Sequence, residues 1–400
     1  MIISFVSNYI NHHQMPFSDV MSKMSGVEYH FIQTEKISEE RLNMGWMKDT
    51  GLPEYVIEYY NEPALCDKLI DESDVVIFGG TDEEKYIIPR IEKGKLVLRY
   101  SERIYKEGQW KFISPRGLIK KYHDHIRFRN KDNVYLLCAG AYVASDFALI
   151  HSYPGRMLKW GYFPELIRYD AVQLFEHKSQ SDKVKILWSG REIDWKHPMD
   201  VLKSAQTLLS KGYDFEITMI GEGVLRKKLE SYAEENRLTE VVSFHDFMSP
   251  SEVRECMLKS DIYLITSDYM EGWGAVVNEA MNAGCAVVAN CGAGAVPYLI
   301  KHKENGMVYN NTDVAELTDH IEYLILEKDA RRQMGVNAYN TVSSLWNAQE
   351  AANRLMSFIR HINDEDQHIK NDDGPMTRAE VLPLSQGYRY CTKHQEGLKK

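Results

Sequence analysis

Short apolar runs alternate with helical patterns along most of this 400-residue chain. The first half contains the runs MIISFVS, VEYHFIQT, DVVIFGG, KLVLRY and VYLLCAG. A polar stretch, EHKSQSDK at 176–183, interrupts the alternation and reads as a linker. The pattern then restarts with VKILWSG, FEITMIGEG, VVSFHDF, DIYLITS and AVVANCG. Between these lie amphipathic segments such as HPMDVLKSAQTLLSKG and SPSEVRECMLKS, the second opened by Ser249 as an N-cap. Strand-length apolar runs spaced by helices are the mark of parallel α/β layers. The pattern predicts an α/β protein of two doubly wound, Rossmann-like domains facing each other across a cleft, residues 1–175 and 184–345. A helical segment over 346–362 follows, and the polar, aperiodic 363–400 reads as a mobile tail.

Composition narrows the class. With 44% apolar and 26% charged residues, the chain is globular and long enough for two cores. A formal net charge of −10 argues against broad nucleic-acid binding. The six cysteines show no metal-site spacing and sit mostly in apolar runs, so reduced core thiols are expected and no metal ligands. No apolar run approaches the ~20 residues of a membrane span, and MIISFVSNYINHH lacks the features of a signal peptide. The expected location is cytoplasmic, with peripheral contact at the inner membrane face left open.

Parallel α/β domains bind ligands beyond the carboxyl ends of their strands. Four such loops in the second half carry unusual residues. SGREIDWKHP holds Gly190, Arg191 and Lys196; in GEGVLRKK, Gly221 and Gly223 bracket Glu222; MEGWGAVVNEA holds Glu271, Gly272, Trp273, Gly274 and Glu279; NCGAG holds Gly292 and Gly294. Arg191 and Lys196 supply the charge and donors a diphosphate needs. Glycines let backbone amides come close to a ligand, and a helix starting near Gly274 aims N–H groups at the same place. Taken singly, each piece has an ordinary reading as a tight turn, a solvated charge or a helix-end carboxylate. Together they can hold both ends of a nucleoside-diphosphate sugar.

The run EGWGAVVNEAMNAG resembles the Glu-x7-Glu motif of retaining, family 4-type glycosyltransferases with the GT-B fold, and the motif order is similar from Val184 to Asn310. NHHQ-x-P, YSERIYKEG, CAGAYVASDF and KWGYFPE resemble a bacterial subset that acts on surface polysaccharides. The resemblance implies a nucleotide-sugar donor as substrate, no bound metal and no other cofactor. It implies that Arg191 and Lys196 hold the diphosphate and that Glu271 orients the donor sugar. Gly272, Trp273 and Gly274 would present amides, Glu279 would bind ribose, and Gly190, Gly221 and Gly223 would line the donor. It also implies that the helix LWNAQEAANRLMSFI crosses back to the first domain. The chain departs from the family in having Tyr298 after Pro297, where glutamate is frequent.

Where the family has a glycine-rich loop after its first strand, this chain has Asn8, Asn11, His12, His13 and Gln14; His13 and Gln14 are the favoured acceptor or donor-sugar residues. Arg103 could meet an anionic acceptor or pair with Glu102, and His123 is a general-base candidate. The expected activity is transfer, with retention, to a glycan or lipid-linked saccharide in polysaccharide biosynthesis. Two alternatives stand beside it: a glycosidase using Glu271 and Glu279, and a non-catalytic nucleotide-sugar-binding protein. A nicotinamide dehydrogenase is disfavoured, because neither SNYINHH nor SGREID supplies G-x-G-x-x-G.

Overall fold

Strands such as VVIF at 75–78 and IYLI at 262–265 are buried along their whole length, so each lies in a sheet covered on both faces. The computed structural model describes residues 1–38, 51–178, 183–362 and 373–393. The chain forms two compact units: Met1–Glu165 with Asn347–Leu382, and Leu166–Trp346 with the residues from Pro383 on.

In the first unit the elements run β1 (Ile2–Ser7), α1 (Met15–Ser22), β2 (Glu28–Gln33), β3 (Val56–Glu58), α2 (Pro63–Glu72), β4 (Val75–Phe78), α3 (Ile88–Glu92), β5 (Leu96–Ser101), α4 (Pro115–Asp124), β6 (Val134–Ala139), α5 (Val143–Leu149) and β7 (Met157–Trp160). The strands form a parallel sheet in the order β3-β2-β1-β4-β5-β6-β7. Its order reverses beside β1, where Ile3 stands in register between Tyr29 of β2 and Val75 of β4. Val6, Ile32, Val76, Val97, Leu136 and Phe147 belong to its core.

The second unit opens with α6 (Ala171–Lys178) and continues through β8 (Val184–Ser189), α7 (Pro198–Ser210), β9 (Phe215–Ile220), α8 (Arg226–Glu235), β10 (Val242–His245), α9 (Pro250–Lys259), β11 (Ile262–Ile265), α10 (Val276–Asn282), β12 (Ala286–Asn290), α11 (Val296–Leu299), β13 (Met307–Tyr309), α12 (Val314–Leu326) and α13 (Lys328–Ser344). Its parallel sheet has the order β10-β9-β8-β11-β12-β13, with the reversal beside β8. Ser249 caps α9 through a reciprocal pair with Glu252. Trp188, Leu202, Ile217, Leu264, Val288 and Leu317 belong to the core; burying each stabilises the fold by roughly 1.5–3 kcal/mol.

Boundaries depart from the sequence expectation in two places. The first unit's opening segment ends at Glu165, ahead of the 175 expected. The reason is that Leu174 and Phe175 of α6 pack on Tyr339 in the second unit. The stretch read as a polar tail is packed over 373–393. After α14 (Ala348–His361), capped by Asn347 and resting on α1, the chain pairs antiparallel with the open edge of β7. Lys159 N–H donates to Thr377 O (2.7 Å) and Met376 N–H to Lys159 O (2.8 Å), while Met376, Ala379 and Leu382 are buried. Backbone pairing of this kind asks little of the side chains, which is why no hydrophobic period announces it. From Pro383 the chain belongs to the second unit, where α15 (Gly387–Thr392) lies on α11 and β13. The remaining tail positions, 363–372 and 394–400, lie outside the described residues, as do linker positions 179–182. Among the described residues no helix is long and apolar enough to cross a membrane.

Candidate active site

The strand reversal in the second sheet brings the loop after β8 beside the loop after β11. Residues 194–196 make one 3-10 turn and His197 adopts a left-handed φ of 48° before Pro198 starts α7. That turn carries Lys196 to Glu271, with which it forms an ion pair; both side chains are largely buried. Trp195 lies against both cations, with the Lys196 ammonium 4.8 Å and the Arg191 guanidinium 5.7 Å from its ring centre. Arg191, Lys196 and Glu271 are thus gathered at one point, and the Arg191 side of it is exposed.

Two groups that motif reading missed hold this geometry. Asp268 accepts from His197 Nε2 (3.1 Å), from its own loop at Met270 N–H (2.8 Å), and donates its N–H to Trp195 O (3.0 Å). The carboxylate raises the His197 pKa, so the imidazolium is favoured. Thr266 links the same loops, accepting from Trp188 Nε1 (2.9 Å) and donating to Lys196 O (2.5 Å). Asp268 sits three positions before Glu271, between the quoted runs, and its partner His197 is 71 positions away in the chain.

The glycines divide into different tasks. Gly221, at φ +148°, would drive a Cβ into Gly190 O, and a Cβ on Gly223 would strike Glu192 O. Both glycines therefore serve loop-on-loop contact. Beneath them Glu192 is fully buried, 3.0 Å from Arg226 Nε, and burial pushes its pKa up to about 7 against the pull of Arg226. Gly294 likewise faces Gly272 O and donates its N–H to Glu271 O (3.1 Å). Gly190 has nothing nearer than 3.6 Å to a Cβ, and Gly274 takes a φ of +92° beside Ile265 and Glu271.

Trp273 was expected to offer a ligand its backbone amide, and its ring has a separate task. Its side chain is wholly buried, donates to Asn278 Oδ1 (2.9 Å) and packs with Tyr298 and Trp346, so it is core. Only its backbone remains available to a ligand. Tyr298, the departure noted after Pro297, stacks on Trp346 at 5.6 Å in this same cluster. Glu279 stands in the first turn of α10, partly buried; burial raises its pKa to about 7 while Arg254 acts in the opposite sense. The NCGAG loop is set by Asn290, which accepts from Gly292 N–H (2.8 Å) and donates to Thr266 O (3.2 Å) and Asn311 Oδ1 (3.0 Å).

In the first unit, His13 and Gln14 lie in the loop after β1. The His13 ring contacts His12 at 3.8 Å and stacks on Tyr162 at 5.4 Å. Burial, with His12 adding to it, lowers its pKa to about 3, so it is neutral at pH 7. Tyr162 in turn donates to Glu102, which is paired with Lys106. The close glycines here follow β4, not β1: Gly79 abuts Tyr100, and Gly80 (φ +80°) abuts Ser7 and Asn8. Arg103 does not pair with Glu102 or face a ligand. It is buried against Asp146 (3.2 Å), whose second oxygen accepts from Tyr105 N–H (2.9 Å). His123 is exposed near the end of α4, on the run leading away from the carboxyl ends of the strands. Among the described residues no cluster of three or more His, Cys, Asp or Glu is placed to hold a metal ion.

The chain is similar to known transferases. It is 25% identical over 191 residues to the alpha-D-kanosaminyltransferase of Streptomyces kanamyceticus, covering 48% of this chain and 49% of that protein. It is 23% identical over 167 residues to the putative colanic acid biosynthesis glycosyltransferase WcaL of Salmonella typhimurium, covering 40% and 41%. The chain thus spans about half the length, or less, of these curated relatives. The structure of Anabaena Alr3699/HepE in complex with UDP superposes with a TM-score of 0.66 at 15% identity, over 90% of this chain and 100% of that one. The fold is GT-B, two Rossmann-like halves with parallel sheets. The family model of the glycosyl transferases, group 1, matches residues 171–341, the stretch that holds Arg191, Lys196 and Glu271.

Proposed function

We propose that this chain is a metal-independent, retaining glycosyltransferase. It moves a sugar from a nucleoside-diphosphate sugar to a glycan or lipid-linked saccharide in polysaccharide assembly. The observation that supports this best is the meeting of Arg191, Lys196 and Glu271 around Trp195, beside the reversal point of the second sheet.

The donor diphosphate lies against Arg191 and Lys196. Their charge stabilises the negative charge that develops as the bond from the anomeric carbon to the diphosphate oxygen breaks. Because Lys196 is paired with Glu271 beforehand, the diphosphate competes for the ammonium and frees the carboxylate to accept from sugar hydroxyls. Backbone amides at Gly272, Trp273 and Gly274 face the sugar end, and Glu279 takes the ribose. The acceptor oxygen forms the new bond on the face that the diphosphate leaves, and its proton passes to the departing diphosphate oxygen. His13, neutral at pH 7, and Gln14 are the acceptor-side residues.

Calorimetry with UDP, GDP and their common sugars tests the reading, UDP first because the HepE structure holds it. The expected result is binding of one donor series and release of the nucleoside diphosphate on turnover. The product should keep the donor's anomeric configuration by NMR, and EDTA should leave the rate unchanged. Cleavage of a simple glycoside without nucleotide establishes the glycosidase instead. Donor binding with no turnover on any glycan establishes a binding protein.

A further inference from the structure

Helix α4 is built the wrong way round for a globular protein. Most helices here bury their apolar stripe, as α12 buries Leu317, Ile321 and Leu324. In α4 no residue is buried, and the positions turned toward the protein are Gly117, Lys121 and Asp124. Burial lowers the Lys121 pKa accordingly. Leu118, Ile119 and Tyr122, which share the opposite face by their i, i+1, i+4 spacing, point to solvent.

The segment leading into the helix continues this surface. Trp110 and Ile113 are each 68% exposed and Ile119 is 62% exposed. Six of the fourteen large apolar side chains exposed among the described residues fall between Trp110 and Tyr122. Scattered exposed hydrophobics need no explanation, but a contiguous group of this size does.

Charge identifies the occupant. From Lys106 to Lys131 there are eight Lys and Arg against two acids, Glu107 and Asp124, a net of +6 in a chain whose total is −10. The rest of the molecule therefore carries −16, and the apolar group sits inside the one strongly basic stretch. We propose that the face made by residues 109–124 docks on a lipid surface bearing anionic headgroups. Trp110, Ile113, Leu118 and Ile119 enter the headgroup boundary, while Arg116 meets lipid phosphates and Lys120, paired with the exposed Asp82 at 3.0 Å, exchanges that carboxylate for one. Trp110 and Tyr122 suit that boundary, each having an apolar body and a polar tip. A nucleic acid would satisfy the charge and leave the apolar face wet.

This gives a location to the peripheral contact left open by the sequence. It does not depend on the transferase reading, because vesicle binding is measured without donor or acceptor. The test is flotation of the full chain with vesicles of phosphatidylcholine alone, or with roughly a third phosphatidylglycerol. The expected result is partition onto the anionic vesicles, weakened by salt, with little on the neutral ones. Trp110→Ser with Ile119→Ser, and separately Arg116→Glu with Lys120→Glu, should each lower that partition by about tenfold or more, at unchanged melting temperature. The altered side chains are exposed, so folding persists. No partition of the parent chain, or partition unchanged in both variants, overturns the proposal. So does light scattering that shows the parent as a dimer, absent from vesicles, and the apolar variant as a monomer.

Discussion

The two units present their strand ends differently. In the second, loops meet backbone to backbone at Gly221–Gly190 and Gly294–Gly272, and ion pairs lock the side chains above them. In the first, the corresponding edge is filled by rings: His12, His13, Tyr162 and Tyr100 follow one another in contact, and Glu102 accepts from Tyr162. A lattice of backbone contacts tolerates no added atom, whereas stacked rings can shift as a group. The rigid edge suits a ligand part common to many reactions, such as a diphosphate; the adaptable one suits a part that varies, such as an acceptor.

The contrast makes four predictions. The largest effect belongs to the rigid edge: Glu271→Ala or Lys196→Ala should lower kcat by about 10³-fold, whereas His13→Ala should act mainly on the acceptor KM. Calorimetry should then find nucleoside diphosphate binding weakened by Lys196→Ala and kept by Glu271→Ala. Equal kcat losses at His13 and Glu271 would break the comparison. Next, Arg103→Ala leaves Asp146 charged and unpaired in the first unit, so urea denaturation should record a loss of about 3 kcal/mol. An unchanged midpoint with a raised acceptor KM would return Arg103 to the site.

Gly221→Ala should cost about 2 kcal/mol through its collision with Gly190 O and its positive φ. Gly190→Ala, with space for a methyl, should cost under about 1 kcal/mol. Equal melting temperatures would sink the account of backbone contact. The smallest effect is a pH dependence. The Glu279 carboxyl is raised from 4.5 to about 7, so the folded chain holds a proton that the unfolded chain releases in between. Stability from the neutral carboxyl is present below 4.5, declines as pH rises, and is gone above about 7. Glu279→Gln should therefore leave stability to urea unchanged near pH 4.5 and raise it at pH 8, by about 1 kcal/mol.

Much of the second unit was legible because its chemistry is written in contiguous motifs. Arg191, Lys196 and Glu271 stand at the ends of strands whose apolar runs are unmistakable, and the sheet's reversal point brings them together. For Trp273 the motif implied a backbone amide only; the place of its ring could not be read, because Tyr298 and Trp346, distant in the chain, decide it. Arg103 was misplaced for the same reason, its partner Asp146 being 43 positions away. The packed segment 373–393 carried no period at all, since it is held by the edge of β7 and by isolated buried side chains.

By itself the amino-acid order determined the alternation of strands and helices, the two parallel sheets and the loops that carry the charged groups. Those follow from local period and turn chemistry, which neighbouring residues settle among themselves. Tertiary structure decided which glycines press on carbonyls, which arginine is sealed in an ion pair, and that one amphipathic helix turns its apolar face outward. Such outcomes depend on what lies across a gap from a residue, and burial, charge pairing and steric exclusion act through space, not along the chain.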